Sequence, residues 1–202
     1  LTDRNTPVPM LLAEHVLDFA VGACHTVFLT QQGTVYSTGC NGRGQLGDGT
    51  TVSQSEPIQV LTNVRCLTAG WYRTFFWQKD GTVSESSPSG LRQRKVLSGA
   101  DSMVAGANHV DFLVDDTVYA LGQNSHGEIG DGTRRARYLP VKVISGVNDM
   151  VAGAFHTLFL QNTTVLATGA NWQGQLGDGS RMDRYRPVKV IDGVRVFATS
   201  YY

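Results

Sequence analysis

The chain has 202 residues, 41% of them hydrophobic, and its 17 basic and 17 acidic side chains cancel. That is long enough to bury a sizeable core, and the neutrality argues against nucleic acid as a partner, since nucleic-acid binding calls for a basic footprint. No apolar run approaches the roughly 20 residues of a spanning helix, so no membrane span is expected, and 23 glycines beside 6 prolines point to many tight turns.

The chain opens at Leu1 with no charged-then-apolar signal segment, so a processed chain or a fragment is expected. A proline-led stretch follows, Thr6-Pro7-Val8-Pro9-Met10, and then Val21-Gly22-Ala23-Cys24-His25. Two short β-rich runs come next, Thr26 to Thr30 and Thr34 to Ser37, at hairpin spacing around Gln31-Gln32-Gly33. The long loop Gly39-Cys40-Asn41-Gly42-Arg43-Gly44-Gln45-Leu46-Gly47-Asp48-Gly49-Thr50 leads to Pro57-Ile58-Gln59-Val60. Proline at the start of that run suits an outer edge strand, where its missing N–H harms no ladder.

The same order then recurs. Glycine-led turns reappear as Gly70-Trp71-Tyr72-Arg73, Gly106-Ala107-Asn108-His109 and Gly153-Ala154-Phe155-His156, and the chain stops inside another at Thr199-Ser200-Tyr201-Tyr202. The loop returns twice, from Gly122 to Thr133 and from Gly169 to Ser180, and the proline-led run returns at Pro140 and Pro187. The shared loop pattern is G-x-N-x-x-G-[Q/E]-[L/I]-G-D-G-[T/S]. Counted from Gly22, successive steps are 48, 36, 47 and 46 residues. The short step marks a degenerate unit in which Ser84 to Gly90 stands where the others carry the long loop.

A period near 47 residues with four short strands per unit predicts all-β propeller blades, and no segment carries a helical period. One repeat domain over 1–202 is expected, as a partial blade 1–21, units 22–69, 70–105 (degenerate), 106–152 and 153–198, and the start of another at 199–202. About four blades result, with both boundaries inside blades, so part of a larger propeller, completed by a larger chain or an assembly, is expected.

Several motifs invite chemistry that their context does not support. Gly42-x-Gly44-x-x-Gly47 matches a dinucleotide fingerprint, but no helix follows to face a pyrophosphate. Asp48, Asp131 and Asp178 supply one carboxylate per loop, where calcium loops need several oxygen ligands; a bond to their own turn backbone accounts for them. Gly47, Gly130 and Gly177 are expected to need backbone angles that other residues resist. His25, His109 and His156 recur once per blade, too far apart for a metal site, and are read as bridges between backbone groups of strands or blades, with Arg73 as a replacement. Cys24, Cys40 and Cys66 are too few and too irregular for a disulfide framework or zinc. No nucleophile with a base is marked, so neither enzyme nor cofactor is expected. Arg134, Arg135, Arg137, Arg181, Arg184 and Arg186 fall in matching loops, as solvated charge or a local basic rim. Asn162-Thr163-Thr164 is a glycosylation sequon, a short pattern that chance also supplies.

These residues resemble the regulator-of-chromosome-condensation repeat family, whose signature joins Gly-x-x-His, a strand hairpin and the glycine loop. The resemblance covers nearly the whole chain and implies a β-propeller, typically of seven blades, acting as a rigid binding disc. It implies three functions. The first, favoured here, is a non-catalytic scaffold for a protein partner. The second is an exchange factor for a small GTPase, although the complete disc and acidic insertion loop of that role have no counterpart in the sequence. The third is an enzyme inhibitor of the β-lactamase-blocking type, towards which only the short second unit leans. Positions that vary inside a repeating frame make a binding face on such scaffolds. Trp71, Tyr72, Asn108, Phe155, Trp172 and Tyr201 are the candidate partner-binding residues, gathered in an arc on one side of the blades.

Overall fold

A computed structural model of the chain describes residues 15–95, 99–196 and 198. Their regular structure is sixteen strands in four antiparallel sheets, with no helix among the described residues. The first sheet holds β1 (Val16–Val21), β2 (His25–Thr30), β3 (Val35–Gly39) and β4 (Gln54–Leu61). The second holds β5 (Val64–Ala69), β6 (Thr74–Gln78), β7 (Thr82–Ser87) and β8 (Gly90–Lys95). The third runs through β9 (Ala100–Ala105), β10 (His109–Val114), β11 (Thr117–Gly122) and β12 (Arg137–Ile144). The fourth comprises β13 (Asp149–Ala152), β14 (His156–Gln161), β15 (Thr164–Gly169) and β16 (Arg184–Ile191). Each sheet pairs its strands in chain order, and the first strands β1, β5, β9 and β13 contact one another in succession. These are the blades of a propeller, stacked along an inner rim.

The Gly-x-x-His turn joins the first and second strands of one sheet, so a unit counted from its glycine takes its last strand from the next blade. Pairing fixes the phase: His25 lies opposite Gly39, His109 opposite Gly122 and His156 opposite Gly169. The hairpin tips fall where turn residues stand, with Asp115 and Asn162 left-handed at φ of 54° and 53°.

Alternation along each second strand sends successive side chains to the two neighbouring blades. Val27 and Leu29 of β2 pack with Leu67 and Phe76 of the second blade. Phe75 and Trp77 turn the other way, onto Val110 and Phe112 of the third, where the Trp77 and Phe112 rings meet edge-on at 5.4 Å. Leu113 joins Met150 and Phe159 between the third and fourth blades. Burying each such side chain contributes about 1.5–3 kcal/mol. The core is thus a series of layers between blades. No blade holds one by itself.

Polar junctions cross the same interfaces. His25 Nε2 lies 2.9 Å from Thr74 Oγ1, and that hydroxyl donates to the Gln45 carbonyl at 2.7 Å. The next such junction has His109 Nε2 3.0 Å from Thr157 Oγ1, whose hydroxyl reaches the Glu128 carbonyl at 3.3 Å. His25 and His109 therefore bridge blades through a threonine hydroxyl; for these two the backbone bridge expected from sequence is replaced, because the Thr directly after the next blade's turn points back across the interface. Burial lowers His25 to about 4. Burial, with some repulsion from His156, lowers His109 to about 3, so both rings are neutral at neutral pH. Each ring lies over the glycine of its own turn: a Cβ on Gly22, Gly106 or Gly153 would overlap the ring Cε1 of its histidine. The Gly106 Cβ would also stand 2.6 Å from the Gly153 carbonyl oxygen of the next blade.

Two further sequence expectations change. Pro57, Pro140 and Pro187 do not open their strands; β4, β12 and β16 start three residues earlier. Each proline sits where the edge strand bulges, as between the Gly39–Gln54 and Ser37–Ile58 pairs, so no ladder bond is lost. Ser84 to Ser87 are strand residues of β7 rather than a shortened loop, and only Pro88 and Ser89 separate β7 from β8. The proline-led stretch at Thr6–Met10 and the last turn, with Tyr201, lie outside the described residues.

Asp111 carries the least expected burial. It occupies the β10 position held by Val27 in β2 and is fully buried, with Oδ2 3.6 Å from His109 Nε2 and 3.2 Å from Thr157 Oγ1. Burial raises its carboxyl to about 8, opposed in part by the Thr157 bond. Both members of the His109–Asp111 contact are then neutral at neutral pH, so the contact is no ion pair.

Two tests follow from this packing. Gly106→Ala should lose about 1–3 kcal/mol of unfolding free energy, as overpacking does, whereas Gly42→Ala, whose Cβ meets nothing within 4 Å, should change it by less than about 0.5 kcal/mol. For Asp111, the folded state holds a proton that the unfolded chain releases near 3.8, so its contribution falls as pH rises towards 8. The histidine contributions are complete above pH 6.5, the ordinary value from which they are lowered. Denaturation between pH 6.5 and 8 should show a decline of up to about 1.4 kcal/mol per pH unit that Asp111→Asn abolishes. An unchanged slope in that variant would place the proton elsewhere.

Candidate protein-binding face

The glycine loops are built around a buried asparagine. In the first, Asn41 Nδ2 donates to Asp48 Oδ1 at 2.9 Å and to the Thr50 carbonyl at 3.1 Å, while its Oδ1 accepts the Leu46 N–H at 3.0 Å. Asn124 and Asn171 repeat this with Asp131, Thr133 and Ile129 and with Asp178, Ser180 and Leu176. The aspartate accepts the backbone N–H two residues on, at 2.9, 2.8 and 2.9 Å in the three loops. Desolvation works against ionising Asp178, but bonds from Ser180, Arg184 and Asn171 outweigh it and hold the carboxyl far below its ordinary range. Arg184 Nε donates to Asp178 Oδ2 at 2.5 Å, and Arg137 is paired with Asp131 in the same way. These two arginines therefore close loops internally and do not belong to a basic rim. Gly47, Gly130 and Gly177 have φ of 78°, 76° and 72°, the left-handed region that glycine tolerates at little cost.

Each loop is pinned at depth by Leu46, Ile129 or Leu176, all buried. In the first and third blades the second residue after the asparagine, Arg43 or His126, lies beside the next blade's glycine-led turn. Arg43 lies 4.5 Å over the Tyr72 ring. At the same place two blades on, His126 meets Phe155 at 6.0 Å and Trp172 at 4.8 Å. Trp71 links the two groups, standing 6.3 Å from Tyr72 and 5.5 Å from Phe155, and Phe155 lies 5.9 Å from Trp172. One continuous row thus runs from Arg43 through Tyr72, Trp71, Phe155 and His126 to Trp172. Arg43 and Tyr72 are exposed at one end, Tyr72 by 38%, and Trp172 is 43% exposed at the other, while Trp71 and Phe155 are half-buried inside the row.

Four of the six candidate residues meet in this row. Asn108 stands apart, half-buried, with its carbonyl accepting the Gln123 N–H at 2.9 Å. It lines a recess of about 350 Å³ with Arg43, Tyr72, Arg73, Glu85 and Pro88. The recess opens where β7 and β8 join by a tight turn and no glycine loop covers the blade. Arg73 Nη1 and Glu85 Oε1 are 2.5 Å apart on its floor. Sequence reasoning passed over Arg43 and His126, although they share one repeat position that varies between otherwise matching glycines. His126 is oriented by Asp183, whose Oδ2 lies 3.1 Å from its Nδ1 and whose Oδ1 accepts the Asn171 N–H at 2.8 Å. Among the described residues no group of three His, Cys, Asp or Glu side chains is placed to hold a metal, and no helix is long and apolar enough to cross a membrane.

Asp178→Ala should cost roughly 1–3 kcal/mol through the bonds it removes. Because the loop carboxylates are held below their ordinary 3.8, the stability they contribute is complete above about pH 4 and fades as pH falls below it. The melting temperature should drop between pH 5 and 3 in the native chain, and less in the variant. Added calcium should leave it unmoved, since arginine or hydroxyl donors already occupy the carboxylates; a calcium-dependent rise would revive the metal reading.

Two models of the regulator of chromosome condensation (RCC1) repeat match the chain, one at residues 32–77 and 115–160 and one at 16–45, together just over half of it. The mouse Regulator of chromosome condensation is 29% identical over 150 residues, which is 63% of this chain and 36% of that protein. The human E3 ubiquitin-protein ligase HERC2 is 34% identical over 85 residues, 40% of this chain and 2% of that protein. The chain spans about a third of the length of the chromosome-condensation regulators it matches. Prp20p from Saccharomyces cerevisiae superposes with a TM-score of 0.81 at 20% identity, over 92% of this chain and 52% of that one. Human WBSCR16 does so at 0.77 and 21%, over 89% and 54%. At such identities the two structures speak for the fold, and repeat and fold agree: the chain belongs to the family of regulator of chromosome condensation repeats, as blades of its β-propeller.

Proposed function

We propose that these blades form a non-catalytic platform for a protein partner, which docks on the face carrying the aromatic row. The observation behind this reading is the continuity of that row: five rings and an arginine from four blades touch in sequence, and both ends are open to solvent. Aromatic and arginine side chains anchored on a rigid frame are typical binding hot spots, because little conformational entropy is lost when they are covered. The recess beside Tyr72 supplies a socket for one projecting side chain. A second reading, nucleotide exchange on a small GTPase, draws on the kinship with regulators of chromosome condensation. Its nearest support is Prp20p, described by its binding to Gsp1p and histones.

The two ligands named for Prp20p are suitable probes. Tyr72→Ala and Trp172→Ala should each weaken binding of a partner by about 1–3 kcal/mol, in the range of truncated hot spots. Both should leave the melting curve nearly unchanged, as should the binding-only losses expected of Trp71→Ala and Phe155→Ala. If any of these truncations instead costs about 3 kcal/mol or more of folding free energy, as a core aromatic does, that residue is packing and the face lies elsewhere. Release of bound nucleotide from a small GTPase, measured with the same proteins, separates exchange from simple docking.

A further inference from the structure

The first blade carries a pair of cysteines at the edge of the proposed face. Cys24 is the residue before His25, the place held by Tyr72, Asn108 and Phe155 in the other blades, and Cys40 follows Gly39. The pairing of His25 with Gly39 continues one step to these two residues, and the Cys40 N–H donates to the Cys24 carbonyl at 2.7 Å. Directly opposed residues of a hydrogen-bonded antiparallel pair have Cα atoms about 5.5 Å apart, inside the range of about 4.4–6.8 Å that a disulfide spans. Both side chains are exposed, burial and the neighbouring Cys40 raise the Cys24 thiol, and Gln45 Nε2 lies 3.7 Å from Cys24 Sγ. The matching pairs in later blades are Asn108 with Gln123 and Phe155 with Ala170, so the arrangement is particular to this blade. Cys66 differs in every respect: it is half-buried against the core, and burial pushes its thiol up to about 11.

We propose that Cys24 and Cys40 form a reversible intramolecular disulfide, a redox-sensitive clasp between the entry of β2 and the root of the first glycine loop. The co-reactant is a low-molecular-weight disulfide such as glutathione disulfide. One cysteine thiolate attacks its S–S bond, giving a protein–glutathione mixed disulfide and one glutathione thiolate. The other cysteine thiolate then attacks the protein sulfur of the mixed disulfide and expels the second glutathione. The pair gives up two electrons and two protons, and glutathione disulfide becomes two glutathiones. The clasp would fix Cys40 beside the turn, where the ladder bond already holds the two backbones within the Cα range that a disulfide spans.

The test treats the folded chain with excess glutathione disulfide and follows it by thiol titration, non-reducing electrophoresis and peptide mapping. Two of the three thiols should disappear together, the chain should stay monomeric, and mapping should join Cys24 to Cys40 with Cys66 still free; reduced glutathione in excess should restore both thiols. Cys66→Ala should behave as the native chain, and Cys40→Ser should stop at the mixed disulfide on Cys24. A map joining either cysteine to Cys66 or to a second molecule would overturn the proposal. So would glutathione retained separately on both residues, or two thiols left free under these conditions.

Discussion

The contact that the structure depends on is the junction between one blade and the next. A four-stranded sheet of this sequence cannot bury its own side chains: Phe76 needs Val27 and Leu29, and Trp77 needs Phe112. The polar junction fixes how these faces meet. A neutral histidine, a threonine hydroxyl of the next blade and a loop carbonyl of the first line up at 2.9 and 2.7 Å at the first interface. Its demands explain the sequence around it. The turn glycine leaves room for the ring, and the burial that lowers His25 keeps the ring neutral. The middle interface shows the converse. Where Arg73 replaces histidine, the residue across from it in the third blade is Val110 instead of threonine, so donor and acceptor are absent together and no buried polar group is stranded.

The glycine loop connects this packing to the surface. Its asparagine satisfies the loop's own backbone and its leucine or isoleucine is driven into the core, so the loop tip is held without help from a ligand. A rigid tip can present Arg43, His126 or Trp172 to a neighbouring blade at fixed distance, and that is why the aromatic row is continuous. The second blade breaks the series. With no loop of its own, it leaves a recess in the face, floored by Arg73 and Glu85. An irregular unit in a repeat array therefore changes the shape of the array's surface while its strands keep the common register.

Asp111 is the one residue that the repeat logic leaves unexplained by packing alone. It stands where the first blade has valine, and its Oδ1 finds no partner in a fully buried site. Proton uptake relieves the cost of burying its charge, since a neutral carboxyl is far cheaper to desolvate than a carboxylate. Stability at one interface is thereby tied to pH through a single side chain.

Much of the architecture was legible without coordinates. Three copies of a long motif and a steady spacing determine strands, turns and blades, because hairpin chemistry and period-2 alternation are local properties of the chain. The left-handed glycines and the aspartate turns were readable for the same reason, as each concerns residues only two or three apart. The proline bulges and the true extent of β7 were not, because strand ends are set by the partner strand. Nor could the order of the chain tell that Thr74 serves His25 from 49 residues away, that Trp71 touches Phe155, or that Cys24 faces Cys40. Those contacts depend on how one blade is turned against the next and on which residues a ladder sets opposite each other. Local sequence decided what each blade is; only the packing of side chains between blades decided which residues share a surface.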